Sequence, residues 1–182
     1  MPQDDIVSRL TAIEDRLAIG QLPIRYALAV DGRDIDAWVG LFVPDVDCGR
    51  HGRGREALRE FITPQVKTFY RSIHLICGHR IELIDDRTAR GKTYCRAEHE
   101  VGDKWEVMAI CYDDRYAKID GQWFFQRRLE QHWYTADQLS RPQEAQGFVD
   151  WHRDVKPALP HAFPTWGSFW SDTDTESVTA QR

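Results

Sequence analysis

Apolar residues along this chain change their spacing once, after about residue 70. Before that point they recur at every third or fourth position, as in Ile6, Leu10, Ile13 and Leu17, and this spacing places them on one face of a helix. Beyond it, apolar and polar residues alternate, most clearly over residues 88–101, as they do in a strand with one buried face. Helices followed by a series of antiparallel strands predict an α+β fold, with the helices packed on one face of a curved, mostly antiparallel sheet.

The same patterns predict the individual elements. The first part should contain helices at residues 4–17, 18–30 and 54–66, a short helix that begins at Asp34, and a short edge strand at 46–50. Pro23 would lie near the start of the second helix, where its missing N–H is tolerated. The second part should contain strands at residues 72–85, 88–101, 105–119 and 121–134, and the pair Asp120-Gly121 favours a tight hairpin before the last strand.

The chain has 182 residues, which suits one domain with a terminal extension. We expect the α+β domain at residues 1–135, an aromatic strap or lid at 136–170 and a disordered polar tail at 171–182. The strap contains four prolines and several large aromatic side chains, which is unlike the composition of a disordered segment. It would serve either as a lid over the open end of the domain or as a permanent wrap on the domain or on a neighbouring subunit.

Charge and hydropathy exclude several classes of partner. The 24 lysines and arginines are outnumbered by 29 aspartates and glutamates, which leaves a net charge of −5. A nucleic-acid partner is not expected, because phosphates require a cationic surface. A membrane partner is not expected either, since no stretch approaches the roughly 18 apolar residues of a spanning helix. The acidic N-terminus lacks the basic and apolar regions of a signal peptide, so we expect a cytoplasmic protein.

The spacing of cysteines and histidines does not indicate a metal site or a redox motif. The four cysteines, Cys48, Cys77, Cys95 and Cys111, form no C-x-x-C pair, and no H-E-x-x-H sequence occurs. A phosphate-binding loop with Lys-Ser/Thr and a G-x-S-x-G sequence are also absent. The sequence therefore predicts no metal and no cofactor, and buried, unreactive thiols at positions 77, 95 and 111.

Four segments, taken in order, carry a resemblance to a known family. They are the helix end Ile24-Arg25-Tyr26-Ala27-Leu28-Ala29-Val30-Asp31-Gly32-Arg33-Asp34 with Trp38-Val39-Gly40-Leu41-Phe42 after it, the turn Gly52-Arg53-Gly54-Arg55-Glu56-Ala57-Leu58, the strand start Ser72-Ile73-His74-Leu75 and the hairpin Asp120-Gly121-Gln122-Trp123-Phe124-Phe125. Over residues 5–137 the chain resembles the SnoaL-like branch of the NTF2-like superfamily, which includes scytalone dehydratase and lindane dehydrochlorinase. The resemblance implies a cone-shaped α+β barrel whose function rests on polar groups that point into the cone.

The resemblance also implies roles for three polar residues. Asp31 matches a catalytic carboxylate of the dehydratase-like members, and His74 matches their catalytic base, whose ring the carboxylate would orient and stabilise as an imidazolium. His99 matches a second cavity histidine of scytalone dehydratase, provided that it faces inward rather than outward with Glu98 and Glu100. On the residues alone, Asp31 is equally typical of a solvated turn, and His74 of a buried histidine bonded to a carbonyl.

Four more side chains are expected to bind the substrate: Tyr26, Trp38, Tyr112 and Arg127. Tyr26 is the only phenol near Asp31, where scytalone dehydratase has tyrosines that hold a water molecule. One of the two adjacent arginines should point inward, and Arg127 shares its strand face with the more apolar neighbours, so alternation places Arg127 in the cavity. His132 is a weaker candidate of the same kind.

The resemblance implies a cofactor-independent lyase that releases water from a small, hydrophobic, hydroxylated aromatic substrate. Three alternatives remain: an isomerase or cyclase on the same fold, a lyase that releases formaldehyde from an aromatic diol, and the non-catalytic small subunit of an aromatic-ring dioxygenase. The seven tryptophans predict a homo-oligomer, because aromatic residues are enriched at interfaces. The resembling enzymes favour a trimer over a dimer.

Overall fold

A computed structural model describes residues 3–138, with side chains from residue 5 onward. Three α-helices come first: α1 spans Gln3–Asp31, α2 spans Ile35–Gly40 and α3 spans Arg55–Val66. Four strands follow, namely β1 at Ser72–Leu83, β2 at Thr88–Val101, β3 at Lys104–Ile119 and β4 at Gln122–Asp137. The predicted α+β order is confirmed, whereas the predicted strap beyond residue 138 and the predicted tail lie outside the described residues.

The strands form one antiparallel sheet in the order β1-β2-β3-β4, in which each strand pairs with the next along the chain. Because β1 and β4 are the two edges of this curved sheet, it does not close into a complete barrel. Asp120 and Gly121 connect β3 to β4 with φ angles of 49° and 78°, as a two-residue hairpin turn of this kind requires. The predicted hairpin is confirmed.

Three irregularities shift the pairing register of the sheet. One lies at Cys77 in β1, and the other two lie at Gln126 and Trp133 in β4. At each position the strand has one residue more than its partner, which interrupts the alternation of side chains between the two faces. Cys77 is exposed, against the expectation of a buried thiol, while Cys95 and Cys111 are buried as predicted.

The first helix is longer than the sequence pattern predicts. Residues 3–31 form one continuous helix rather than two, and Pro23 lies inside it. A proline in a helix interior costs roughly 3 kcal/mol, because it lacks an N–H and crowds the preceding turn. Ile19 and Leu22 are only 0% and 2% exposed, and burying each such side chain contributes about 1.5–3 kcal/mol. Packing therefore offsets the cost of the proline and keeps the helix continuous.

Within the described residues, α1 contributes apolar side chains to the protein core only in its second half. From Ile19 onward its inner side contacts a buried cluster that includes Phe42, Tyr116 and Phe125. The apolar residues of the first half, Ile6, Leu10, Ile13 and Leu17, are 53–66% exposed. None of the described helices is both long and apolar enough to cross a membrane.

Between α2 and α3 the chain forms a compact turn, and the predicted edge strand at 46–50 is wrong. Gly49–His51 is a single 3₁₀ turn, and Asp47 makes only an isolated bridge with Arg53. Gly52 and Gly54 have φ angles of 103° and 94°, which side chains other than glycine rarely adopt, so the chain reverses here instead of extending. This reversal lets α3 turn its apolar side toward the core.

Candidate active site

A cavity of about 550 Å³ lies between the inner face of the sheet and the helices. Its walls are largely apolar and aromatic, as in sites that bind small organic molecules. The helices contribute mainly aromatic and aliphatic side chains, whereas most of the charged or titratable groups come from the strands. The non-aromatic polar groups and histidines in the wall are Arg50, His51, Gln65, His74, His99, Arg128, Glu130 and His132.

Asp31 and His74 are in direct contact beside this cavity. Asp31 is the last residue of α1, and His74 is the third residue of β1, so the contact joins the end of a helix to the start of a strand. The distance between Asp31 Oδ1 and His74 Nδ1 is 2.7 Å, and the backbone N–H of His74 donates to Asp31 Oδ2 at 2.8 Å. The hydroxyl of Ser72 donates to Asp31 Oδ1 at 2.7 Å. The carboxylate is thus held by three donors.

The environment of Asp31 keeps it ionised. Burial disfavours its charge, but the hydrogen bond and charge interaction with His74, together with the Ser72 hydroxyl, hold the pKa of Asp31 below its ordinary value. An ionised carboxylate at Nδ1 selects the tautomer of His74 that carries its proton on that nitrogen. The lone pair is then on Nε2 of a side chain that is 7% exposed and lines the cavity, which is the arrangement of a general base.

Arg33 stabilises the chain segments that carry Asp31 and His74. It adopts a φ of 60°, which is rare for a non-glycine residue, directly after the end of α1. Its guanidinium donates to the hydroxyl of Ser72 at 3.0 Å and to the backbone carbonyls of Phe69 and Tyr70 at 3.2 and 3.0 Å. Arg33 therefore ties the end of α1 to the segment that leads into β1, and this fixes the relative position of the two catalytic candidates.

His99 faces inward, which resolves the alternative left by the sequence. It is 1% exposed, and its ring lies edge-on to that of His74 with 5.3 Å between the ring centroids. The ring of Phe69 packs against its other side at 4.6 Å. Burial, together with the neighbouring His74, lowers the pKa of His99 to about 4, so its imidazole is neutral near pH 7.

The expectation that Arg127 enters the cavity is wrong, and Arg128 lies there instead. Arg127 is exposed, whereas the side chain of Arg128 is 4% exposed and lines the cavity. The cause is the extra residue at Gln126, after which Gln126 and Arg127 both face outward and the inward positions continue from Arg128. A bulge of this kind leaves no mark in the alternation pattern of the sequence.

Arg128 is held in a fixed orientation. Its Nε and Nη2 donate to the two oxygens of Asp114, each at 2.8 Å. Its guanidinium also lies 4.5, 4.1 and 4.3 Å from the ring centroids of Tyr26, Tyr112 and Phe125. The remaining nitrogen, Nη1, is buried and has no hydrogen-bond partner among the described residues. It is therefore available to donate to an oxygen atom of a bound molecule.

One signal in the sequence points to a buried arginine on β4. Asp114 lies on β3 between Tyr112 and Tyr116 at two-residue spacing, so all three share the inner face, where the structure shows Asp114 to be fully buried. A buried carboxylate needs a cationic partner. Regular antiparallel pairing from the hairpin would bring residue 127 opposite Asp114, and only the extra residue at Gln126 brings Arg128 there. The sequence could therefore have indicated the need for a partner, but not which of the two arginines supplies it.

The expected aromatic residues gather at the cavity wall. Tyr26 lies 5.4 Å from Trp38 and 5.9 Å from Tyr112 between ring centroids, and all three line the cavity. Burial raises the pKa of Tyr26 and of Tyr112 well above the ordinary value, so both phenols stay protonated. These rings are tilted by 53° and 60° to one another and form an aromatic wall that suits an aromatic substrate.

Glu130 and His132 also face the cavity, and sequence reasoning did not single out Glu130. A hydrogen bond joins His132 Nε2 to Glu130 Oε1, and the two side chains are 5% and 30% exposed. The bulges at Gln126 and Trp133 lie on either side of them, so the segment between the bulges turns Arg128, Glu130 and His132 inward. Across the described residues, no three His, Cys, Asp or Glu side chains come together as metal ligands would.

Comparison with known proteins places this site in a family context. A profile of the SnoaL-like domain matches residues 11–129. A candidate scytalone dehydratase from Novosphingobium aromaticivorans has a similar structure, with a TM-score of 0.62 and 23% identity over 72% of this chain and 93% of its own. No curated protein sequence matches the chain.

Two further solved structures are similar over comparable lengths. The hexachlorocyclohexane dehydrochlorinase LinA-type3 from Novosphingobium barchaimii has a TM-score of 0.65 and 20% identity, over 73% of this chain and 96% of its own. A candidate aromatic-ring hydroxylase from N. aromaticivorans has a TM-score of 0.59 and 26% identity, over 70% of this chain and 95% of its own. These proteins share the fold and carry different named activities, so function has to be argued from the site.

Proposed function

The chain belongs to the SnoaL-like domain family, and from this membership we propose that it is a cofactor-independent lyase that eliminates water from a small, hydrophobic, hydroxylated aromatic compound. The observation that carries the proposal is the contact between Asp31 and His74 beside an apolar cavity. Elimination requires a base that removes a proton from carbon, and a neutral imidazole oriented by a carboxylate is a competent base near pH 7.

His74 is the catalytic residue in this proposal. Its Nε2 takes a proton from the carbon next to the one that carries the leaving group. The electron pair of the broken C–H bond forms the new double bond as the C–O bond breaks with its electrons on oxygen, and the oxygen takes up a proton and leaves as water. Asp31 is a positioning residue, because it touches His74 rather than the substrate and stabilises the imidazolium that forms. Positioned acid–base catalysis of this kind contributes about 10²–10⁴-fold to the rate.

The cavity supports an aromatic and oxygen-bearing substrate. Its volume of about 550 Å³ lies within the roughly 300–1,000 Å³ typical of small-molecule sites. Tyr26, Trp38 and Tyr112 offer aromatic surface for a ring, and Arg128 Nη1 offers one buried donor for a hydroxyl or carbonyl oxygen. A donor at a carbonyl oxygen would also stabilise the negative charge that develops when the neighbouring carbon loses its proton.

The names of two relatives support elimination. Two of the similar structures are named for eliminations, a dehydratase and a dehydrochlorinase. The inward orientation of His99 next to His74 fits elimination better than an isomerase or cyclase, in which one carboxylate moves a proton between two carbons. Release of formaldehyde from an aromatic diol is the variant in which the same base acts on a hydroxyl group.

One observation favours a second candidate function. The candidate aromatic-ring hydroxylase is also similar, which is consistent with the non-catalytic small subunit of an oxygenase. Such a subunit needs no oriented histidine in its cavity. Carboxylate and imidazole groups that burial and hydrogen bonding hold in one geometry are more typical of catalysis than of a supporting subunit.

The test is a screen of the purified protein against hydroxylated phenylpropanoid-type alcohols and β-hydroxy ketones. The absorbance of the conjugated alkene product measures the reaction. We expect product formation that His74→Gln abolishes and that Arg127→Gln leaves unchanged, since Arg127 is exposed outside the cavity. Product formation at the same rate in His74→Gln would overturn the proposal. Activity that appears only with an added iron–sulfur oxygenase subunit would favour the second candidate.

A further inference from the structure

The cavity contains a second carboxylate–imidazole pair that the proposed base does not use. Glu130 and His132 are two residues apart on β4, and a hydrogen bond joins them. Both line the cavity that His74 lines, and the His132 side chain is almost completely buried. The charge of Glu130 acts on other groups of the same cavity, since it opposes ionisation of Tyr26 and favours protonation of His99. The pair therefore lies close enough to the cavity contents to influence them.

We propose that Glu130 and His132 together form the proton donor that protonates the departing oxygen, so that the cavity holds one pair for each proton of the elimination. This inference rests on the proposed lyase function and extends it by a catalytic acid. Hydroxide is a poor leaving group near neutral pH, and a positioned acid is the ordinary solution in enzymes that expel it. The paired carboxylate and imidazole can hold one proton between them and release it to an oxygen within hydrogen-bond distance.

The other groups in the cavity are poorer donors. His99 is neutral near pH 7 because burial lowers its pKa to about 4, and a neutral imidazole is a very weak acid. Burial raises the pKa of the phenols of Tyr26 and Tyr112, so they stay protonated and are weak acids. Burial disfavours the charge of the Arg128 guanidinium, but the charge and hydrogen bonds of Asp114 outweigh it and raise the pKa of Arg128, so it does not give up a proton. His51 also reaches the cavity wall but is exposed to solvent.

The step balances in atoms and charge. In the proposed starting state, the lone pair of His74 Nε2 is free to accept a proton, and the Glu130–His132 pair holds one extra proton. His74 Nε2 takes the C–H proton, the C–H electron pair becomes the second bond of the alkene, and the C–O bond breaks with its electrons on oxygen. The pair gives its proton to that oxygen, and water leaves. His74 now carries the proton that the pair has lost, and transfer through solvent restores the starting state without an oxidant or reductant.

The test compares two leaving groups in the full-length protein. The probes are a phenyl-substituted β-hydroxy ketone, whose hydroxyl must be protonated, and its acetate ester, whose carboxylate leaves without a proton. Glu130→Gln and His132→Gln should lower kcat for the alcohol by about 10²-fold or more and for the acetate by less than about 5-fold. Glu82→Gln is the matched control, because Glu82 lies on β1 outside the cavity and its side chain is 46% exposed.

Deuterium exchange separates this inference from the proposed function. In D₂O the two acid variants should still exchange the hydrogen next to the carbonyl, whereas His74→Gln should lose both exchange and elimination. Equal losses for alcohol and acetate, or no loss for either, would overturn the acid role while the lyase proposal stands. If the wild-type protein neither exchanges nor eliminates either probe, the lyase proposal fails, and the acid role fails with it.

Discussion

Asp31 accepts hydrogen bonds from two donors of one residue, the backbone N–H and the ring Nδ1–H of His74. The first bond fixes where the start of β1 lies, and the second fixes the rotation and tautomer of the ring. The Ser72 hydroxyl occupies a further lone pair of the same carboxylate. Asparagine at position 31 would keep the shape of the side chain but lose its charge, so it separates positioning from electrostatic stabilisation.

We expect Asp31→Asn and His74→Ala each to lower kcat by about 10²–10⁴-fold, because each removes part of one acid–base unit. The double variant should be no slower than His74→Ala alone, since Asp31 acts through His74. Steady-state kinetics of the three variants checks this, with circular dichroism to show that the fold is retained. Losses that multiply in the double variant would mean that Asp31 acts on the substrate independently of His74.

His99 should make the protein sensitive to mild acid. In the unfolded chain it gains a proton near pH 6.5, but burial in the folded protein lowers its pKa to about 4. Between these values the unfolded state binds more protons, so the free energy of unfolding decreases as the pH falls from 6.5 to 4. The loss attributable to His99 is on the order of 3 kcal/mol over that window.

We expect His99→Gln to show a flatter dependence of unfolding free energy on pH across this window, because the substituted side chain does not titrate. Urea unfolding of both proteins at several pH values between 6.5 and 4 measures the two slopes. Parallel slopes for wild type and variant would show that His99 is not the group that titrates on unfolding. Below pH 4 His99 should contribute no further change to the unfolding free energy of the wild type, since it is then protonated in both the folded and the unfolded state.

Two bulges in β4 change which face of the sheet its side chains point to. The first bulge, at Gln126, determines which arginine is buried. Arg128→Met should destabilise the protein by about 3–5 kcal/mol, because it leaves the fully buried carboxylate of Asp114 without its cation. Arg127→Met, the matched control, should change stability by no more than about 0.5 kcal/mol, since Arg127 is exposed. Chemical denaturation of the two variants gives both values. A larger loss for Arg127→Met would mean that the bulge at Gln126 does not exist in solution.

Apolar side chains on the outer face of the sheet are relevant to the oligomeric state of the protein. Ile73, Leu75, Tyr94 and Leu129 are 43–45% exposed on the face opposite the cavity. Exposed apolar side chains on one face are typical of a surface that contacts another protein. We expect a homo-oligomer, and we favour a trimer on the resemblance to the family's enzymes.

Sedimentation at micromolar concentration should give a mass three times that of the 21.2 kDa chain. Leu75→Glu should shift the protein toward the monomer, because a charge would then have to be buried at the interface. The exposed and already charged position Arg90, on the same face of β2, supplies a control as Arg90→Glu. A single 21.2 kDa species for the wild type would contradict the assembly.

Local sequence patterns were sufficient for the order and approximate bounds of the strands. Alternation over residues 88–101 predicted β2 to the residue, and Asp120-Gly121 predicted the hairpin that precedes β4. These features depend on neighbouring residues only, because side-chain alternation and turn preference are properties of a short stretch of backbone. The candidates Asp31 and His74 came from the resemblance of short segments, and their contact across 43 residues of sequence is a property of the fold.

Features that depend on distant partners were decided by packing in three dimensions. Pro23 remains inside α1 because Ile19 and Leu22 are buried against the sheet. Arg128 rather than Arg127 enters the cavity because a bulge in β4 places it opposite the buried Asp114, and that bulge exists only in the register between two strands. Local periodicity describes one chain segment at a time, whereas a bulge, a buried ion pair and a shared cavity each require groups from several segments at once.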